Sequence, residues 1–179
     1  MNLLAFAASN SRQSINRALV DHALQRLVDE FIADLRVTLL DLNDFEMPIY
    51  SIDRETADGI PTPARDFFAK IGSSDAVLAS FAEHNGTITA AWKNLFDWMS
   101  RIDAKVWQGK PLVVLAATPG PRAGAGVLQY ALLASHFGGE VKGSHGVGQW
   151  SEAFDNQRRE LTKPDDISAL SEVLAALAS

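Results

Sequence analysis

Apolar residues fall into two alternating patterns along the chain. Leu3-Leu4-Ala5-Phe6-Ala7-Ala8 is an unbroken apolar run closed by Ser9-Asn10-Ser11, as expected of a central parallel strand buried on both faces. From Ile15 the apolar positions recur at Leu19, Ala23, Leu27 and Phe31, widened by Val20, Leu24 and Val28, which predicts a helix packed on a sheet. Residues 37–40 predict a second strand, ended by Asp41-Leu42-Asn43-Asp44. Met47-Pro48-Ile49-Tyr50 then opens a long polar connection reaching Pro61 and Pro63, read as an ordered surface excursion. Pro63 suits a first helical turn, and Phe67, Phe68 and Ile71 give that helix an apolar face before Gly72-Ser73-Ser74-Asp75 stops it.

The alternation continues to the end. Residues 76–81 predict a third strand, and a helix from about Thr89 buries Trp92, Leu95, Phe96 and Met99 while Lys93, Asp97 and Arg101 face outward. Residues 111–117 read as a fully buried fourth strand, followed by a glycine-rich loop and a helix over 127–137 that ends at Gly138-Gly139. A short fifth strand begins at 140–142, and after Pro164 a last helix carries Ile167, Leu170, Val173, Leu174 and Leu177. Regular alternation without repeats or linkers predicts one α/β domain over 1–179, a doubly wound five-stranded parallel sheet in a three-layer sandwich. In such sheets ligands sit beyond the carboxyl ends of the strands.

Composition narrows the chemistry. With 47% hydrophobic and 21% charged residues the chain is globular rather than disordered. Its net charge of −6 argues against nucleic acid as a partner. The absence of cysteine removes disulfides, thiolate metal sites and thiol catalysis, so redox chemistry would need a bound cofactor. No basic segment precedes the first apolar run, and the longest run, 112–117, falls far short of the roughly 20 residues of a membrane span, so the expected location is the cytoplasm without membrane insertion.

Three loops at the expected ligand edge carry unusual residues. After the first strand, Ser9, Ser11, Arg12, Ser14, Ile15 and Asn16 place hydroxyls, an amide and a guanidinium around a helix N-terminus, a composition suited to phosphate. A helix N-cap accounts for one serine without any phosphate, and leaves the others unexplained. After the third strand, Ala82-Glu83-His84-Asn85-Gly86-Thr87 contains a tight-turn signal, and taken alone is an ordinary turn. His84 has no companion at metal-ligand spacing, so no metal site is expected. After the fourth strand, Thr118-Pro119-Gly120-Pro121-Arg122-Ala123-Gly124-Ala125-Gly126 suits close approach of a flat ligand to the backbone, or else a flexible loop; as a dinucleotide fingerprint it follows the wrong strand.

Together these loops resemble the NADPH-dependent FMN reductases, a flavodoxin-like family of flavin and quinone oxidoreductases. Ala8-Ser9-Asn10-Ser11-Arg12-Gln13-Ser14-Ile15-Asn16 is similar to the family's opening Gly-Ser-x-Arg-x-x-Ser-x-Asn, with Ala8 in place of glycine and the arginine one place later. Ala82-Glu83-His84-Asn85-Gly86-Thr87 followed by Trp92-Lys93-Asn94-Leu95-Phe96-Asp97-Trp98 is similar to Pro-Glu-Tyr-Asn-Gly-Ser followed by Leu-Lys-Asn-Ala-Leu-Asp-Trp. The resemblance implies that Ser9, Ser11, Arg12, Ser14, Ile15 and Asn16 hold the FMN phosphate. It implies that Ala82, Glu83, His84, Asn85 and Gly86 line the isoalloxazine ring, with Thr118, Pro119, Gly120 and Arg122 at its pyrimidine edge.

The implied activity is transfer of electrons from NADPH or NADH, through bound FMN, to a small-molecule acceptor such as a quinone, free flavin, azo compound or metal oxyanion. A ping-pong two-electron cycle would carry it, in a homodimer or homotetramer, with flavin N5 rather than a side chain performing the chemistry. The 47–50 segment and the helix after Thr89 would wall the acceptor site, although Trp98 and Met99 also suit ordinary core. Three rivals stand beside it: a flavodoxin-type FMN electron carrier for protein partners, a phosphoacceptor receiver and a flavin-free interaction protein. The receiver lacks its aspartate, since Ala82 ends the third strand and Ser9-Asn10-Ser11 replaces the acidic cluster.

Overall fold

The computed structural model describes residues 1–178. Strand β1 (Asn2–Ala8) leads to helix α1 (Ile15–Arg26), which continues as a π-helical turn over Leu27–Phe31. Strand β2 (Arg36–Leu40) and a 3-10 turn (Leu42–Phe45) precede α2 (Ile52–Asp58) and α3 (Thr62–Gly72). After β3 (Ala76–Phe81) come the short strands β4 (Glu83–His84) and β5 (Thr87–Ile88), then α4 (Ala90–Met99) and β6 (Pro111–Ala117). The chain continues through α5 (Ala125–Ala131), a 3-10 segment (Leu132–Phe137) and β7 (Glu140–Val147). It ends with α6 (Trp150–Ala153), β8 (Phe154–Asp155), β9 (Glu160–Leu161) and α7 (Pro164–Ala178).

Five strands form one parallel sheet in the order β2-β1-β3-β6-β7. The order reverses after β1, so β1 and β3 leave the sheet beside each other with crossovers on opposite faces. That is the flavodoxin-like topological switch. The apolar runs follow from burial on both faces: Leu4, Phe6 and Ala8 of β1 join one core, while Leu3 and Ala5 join the other. β6 divides in the same way, with Leu112, Val114 and Ala116 against Val113, Leu115 and Ala117. Helices α1 and α7 cover the second core through Leu19, Ala23, Leu170 and Leu174. Helices α3, α4 and α5 cover the first, where Trp92 is stacked between Phe6 at 5.1 Å and Trp107 at 5.7 Å.

Four local features depart from the sequence expectation. The connection before α3 holds α2, whose amphipathic signal is absent because none of its residues is buried. The helix expected over 127–137 is α only to Ala131 and tightens to 3-10 up to the left-handed Gly138 (φ 78°). The fifth strand reaches Val147, and β8 and β9 pair as a hairpin before α7. The tight turn expected between Ala82 and Thr87 is present: Asn85 (φ 53°) and Gly86 (φ 80°) are both left-handed in a two-residue turn that pairs β4 with β5.

Candidate functional site

The loops after β1, β3 and β6 lie at one edge of the sheet because those three strands are parallel and adjacent. In the first loop, buried Ser9 accepts the Ser11 N–H on its hydroxyl at 3.2 Å, which curls the backbone. Ser14 is the N-cap of α1, its Oγ accepting the Arg17 N–H at 3.3 Å. Ser11, Arg12 and Gln13 are exposed at the mouth, and a cavity of about 340 Å³ lies among Ser9, Ser11, Arg12, Ser14 and Arg17. Ile15 is half-buried, its side chain packed on the core beneath α1.

Asn16 is turned inward and is only 2% exposed. Its Oδ1 accepts the Ala117 N–H at 2.8 Å and the Ser80 hydroxyl at 2.7 Å, while its Nδ2 donates to Ala117 O at 3.0 Å. One amide thus fastens the start of α1 to the ends of β3 and β6, which makes Asn16 a positioning residue for the first loop.

The second loop is the β4–β5 hairpin. Ala82 is buried at its root, Glu83 is half-buried, and His84, Asn85 and Gly86 form its exposed tip. Thr89 caps α4 by accepting the Trp92 N–H at 3.2 Å, and donates at 3.1 Å to Ala8 O at the end of β1. Thr89, just after the second loop, thus ties the start of α4 to the end of β1, where the first loop begins. Glu83 reaches the third loop, its Oε2 accepting the Val127 N–H at 3.1 Å at the first turn of α5. Gly126 lies so near that a Cβ on it would fall 2.3 Å from Gly86 O.

In the third loop Thr118 is buried, its N–H donating to Val147 O at 3.0 Å and its hydroxyl to Gly120 O at 3.2 Å. Pro119, Gly120 and Arg122 are exposed, and the side of Gly120 where a Cβ would stand is open for at least 4 Å. A segment that the sequence reading passed over underpins this loop: Gln149 N–H donates to Gly120 O at 3.0 Å and Trp150 N–H to Thr118 O at 3.2 Å. Gly146 and Gly148 permit that approach, since a Cβ on Gly146 would sit 1.9 Å from Ala123 O. The spaced glycines Gly146 and Gly148, at the end of the fifth strand, were the available sequence signal.

Asn94 and Trp98, from the second resembling segment, hold the excursion before α2. Asn94 accepts the Tyr50 N–H at 2.8 Å and donates to Met47 O and Pro48 O at 3.2 Å each, while Trp98 Nε1 donates to Pro48 O at 2.8 Å. Trp98 and Met99 are 1% and 0% exposed, so both are core. Beside this clamp a cavity of about 530 Å³ opens between Asn10, Phe45, Met47, Ile49, Ala91 and Asn94, adjoining the first loop. Among the described residues no cluster of side chains could hold a metal ion, and no helix is long and apolar enough to cross a membrane.

A switch-point edge with a hydroxyl-rich first loop, a linked hairpin and an open glycine-rich third loop defines a protein of the flavodoxin-like class. Residues 1–147 match the NADPH-dependent FMN reductase family, and the chain belongs to it. A probable NADPH:quinone oxidoreductase of Oryza sativa is 28% identical over 120 residues, 67% of this chain and 57% of that protein, so the chain spans less than two thirds of that plant relative's length. An NAD(P)H-dependent FMN reductase of Pseudomonas aeruginosa is 30% identical over 132 residues, 74% of this chain and 67% of that protein. Among solved structures, the flavoenzyme NAD(P)H:(acceptor) oxidoreductase of Paracoccus denitrificans superposes with a TM-score of 0.76 at 25% identity, over 99% of this chain and 94% of that one.

Proposed function

We propose that this protein is an FMN-dependent NAD(P)H oxidoreductase that reduces a small acceptor such as a quinone. The observation that carries the reading is the bonded union of the three loops. Thr89, just after the second, ties it to the end of β1 where the first begins, and Glu83 joins the second to the third, so all three present one continuous surface. The residues present fit FMN: exposed Ser11 and Arg12 beside the N-terminus of α1 suit a phosphate dianion, and the open backbone of Gly120 suits a planar ring edge. Relatives whose names specify quinone, FMN or acceptor reduction support the same chemistry.

Bound FMN would supply the electron chemistry, taking a hydride equivalent from the nicotinamide and releasing two electrons to the acceptor. The chain's task is then to bind and orient. Ser9, Ser11, Arg12 and Ser14 receive the phosphate, and Asn16 holds their loop in place. Ala82 to Gly86 line one side of the ring, while Thr118, Pro119, Gly120 and Arg122 offer backbone and guanidinium donors at its polar edge. The cavity beside Asn94 and Met47 receives nicotinamide and acceptor in turn, consistent with a ping-pong order. Ile49, which lines that cavity, and Ile52, the first residue of α2, are 74% and 60% exposed and suit burial against a second copy in a cytoplasmic homodimer or homotetramer.

The deciding experiment is anaerobic. The purified protein is loaded with FMN, its visible spectrum is recorded, and NADPH or NADH is added. Bleaching of the flavin band, restored by a quinone, is the expected result. Bound but unbleached flavin would indicate a carrier for protein partners, and failure to bind FMN would overturn the reading.

A further inference from the structure

The hairpin β8–β9 lies beyond the family-matched residues, yet Arg159 at its turn lines the cavity beside the first loop. Its base is fixed: Phe154 is stacked on Trp150 at 4.2 Å, both are buried, and Thr162 N–H donates to Ala153 O at 2.9 Å. Its turn is tight. The Asp155 carboxylate accepts the N–H groups of Gln157 at 2.8 Å and Arg158 at 3.1 Å, and Asp155 O accepts the Arg159 N–H at 2.7 Å. This leaves Arg159 left-handed (φ 60°) and projects its side chain toward α1, where its guanidinium donates to Asp21 Oδ2 at 2.9 Å. The other oxygen of Asp21 accepts from Arg17 Nε at 2.9 Å, so one carboxylate steers two guanidinium groups.

Arg159, Arg12 and Arg17 all line the 340 Å³ cavity of the first loop. Two carboxylates oppose them there, Asp21 and Asp41, and Asp41 Oδ1 is engaged by the backbone N–H and side-chain amide of Asn43. Three cations against two anions leave a cavity suited to one more negative group. Asp21 takes a single N–H of Arg159, whose guanidinium carries five, so the fork keeps donors for a second acceptor.

Resting on the FMN reading above, we infer that Arg159 is a binding residue for the flavin phosphate and makes the protein prefer FMN to unphosphorylated riboflavin. A phosphate dianion in the first loop would be approached from α1 by its backbone N–H groups and from the C-terminal hairpin by Arg159, as a two-sided clasp. Arg159 is 65% exposed, so its effect is moderate and sensitive to salt.

The test compares FMN with riboflavin by quenching of flavin fluorescence in wild type, Arg159→Asn, Arg159→Lys and Arg158→Asn. Asparagine accepts a left-handed backbone, so Arg159→Asn removes the charge without new strain. Arg158 lies one residue away and pairs with Asp155 and Glu160 rather than lining this cavity, so Arg158→Asn measures the general effect of losing one positive charge. At low ionic strength, Arg159→Asn is expected to weaken FMN binding about 3- to 10-fold, leave riboflavin unchanged and flatten the salt dependence. Arg159→Lys should recover part of the loss, and Arg158→Asn should have much the smaller effect. Equal weakening of both flavins, no weakening of either, or an Arg158→Asn effect as large as that of Arg159→Asn would overturn the assignment. Wild type that binds no FMN would instead overturn the flavin reading itself.

Discussion

The Glu83 carboxylate and the Val127 N–H meet at 3.1 Å, tying the hairpin after β3 to the helix that follows the glycine-rich loop. A charged acceptor on an otherwise open first turn is worth about 1.5–3 kcal/mol. Glu83→Ala is expected to lower FMN affinity about 3- to 10-fold and to speed amide exchange at Val127. Glu83→Gln keeps a carbonyl oxygen at the same reach and should behave much closer to wild type. Flavin titration and hydrogen exchange, read together, check both.

Two glycines at the same junction separate conformational strain from collision. Gly86 is left-handed with open space where a Cβ would stand, so Gly86→Ala should cost about 1 kcal/mol through its backbone alone. A Cβ at Gly126 would fall 2.3 Å from Gly86 O, and no rotamer relieves a contact with backbone. Gly126→Ala should therefore cost about 2–4 kcal/mol and abolish ordered flavin binding. Urea unfolding of the flavin-free protein ranks the two.

His22, packed against Phe154 of the C-terminal hairpin, gives stability a pH dependence. Burial first, and Arg26 second, lower its pKa from the ordinary 6.5, against the opposing pull of Glu160 and Glu30. Its Nε2 is buried without a partner among the described residues. The folded state thus binds fewer protons than the unfolded chain, and stability rises with pH. The full benefit is present above the unfolded value of 6.5 and declines as pH falls from there toward the lowered folded value. Urea midpoints measured from about pH 7.5 to 5.5 should fall in wild type and fall less in His22→Gln.

Asn16→Ala would strip partners from the Ser80 hydroxyl and from both polar groups of Ala117 in the dry interior. Losses of this kind cost about 2–4 kcal/mol, so the unfolding midpoint should drop clearly. FMN binding should weaken as well, because the first loop loses its anchor. Riboflavin binding measured alongside would show whether that weakening follows the phosphate.

The sheet was legible because strands covered on both faces leave apolar runs such as 112–117 that little else produces. Helix α2 was not, since it buries nothing and carries no stripe. Strand β7 looked short because it lies at the sheet's edge, where Gly143, Ser144 and Gly146 interrupt the apolar pattern. The three loops were legible through their residue types, but the inward turn of Asn16 was not, because its principal partner is the backbone of Ala117 and backbone has no sequence signature. The hairpin that delivers Arg159 escaped because each of its strands is two residues long.

The bond between Asn16 and Ala117 also sets a timetable for synthesis. The two residues lie 101 positions apart, so a ribosome adding about 5–20 residues each second delivers Ala117 roughly 5–20 s after Asn16. Throughout that interval the amide must stay hydrated, and the beginning of α1 cannot settle against the growing sheet. The first loop therefore takes its final form only after residue 117 of 179 has been added, so its shape depends on chain made long after its own residues.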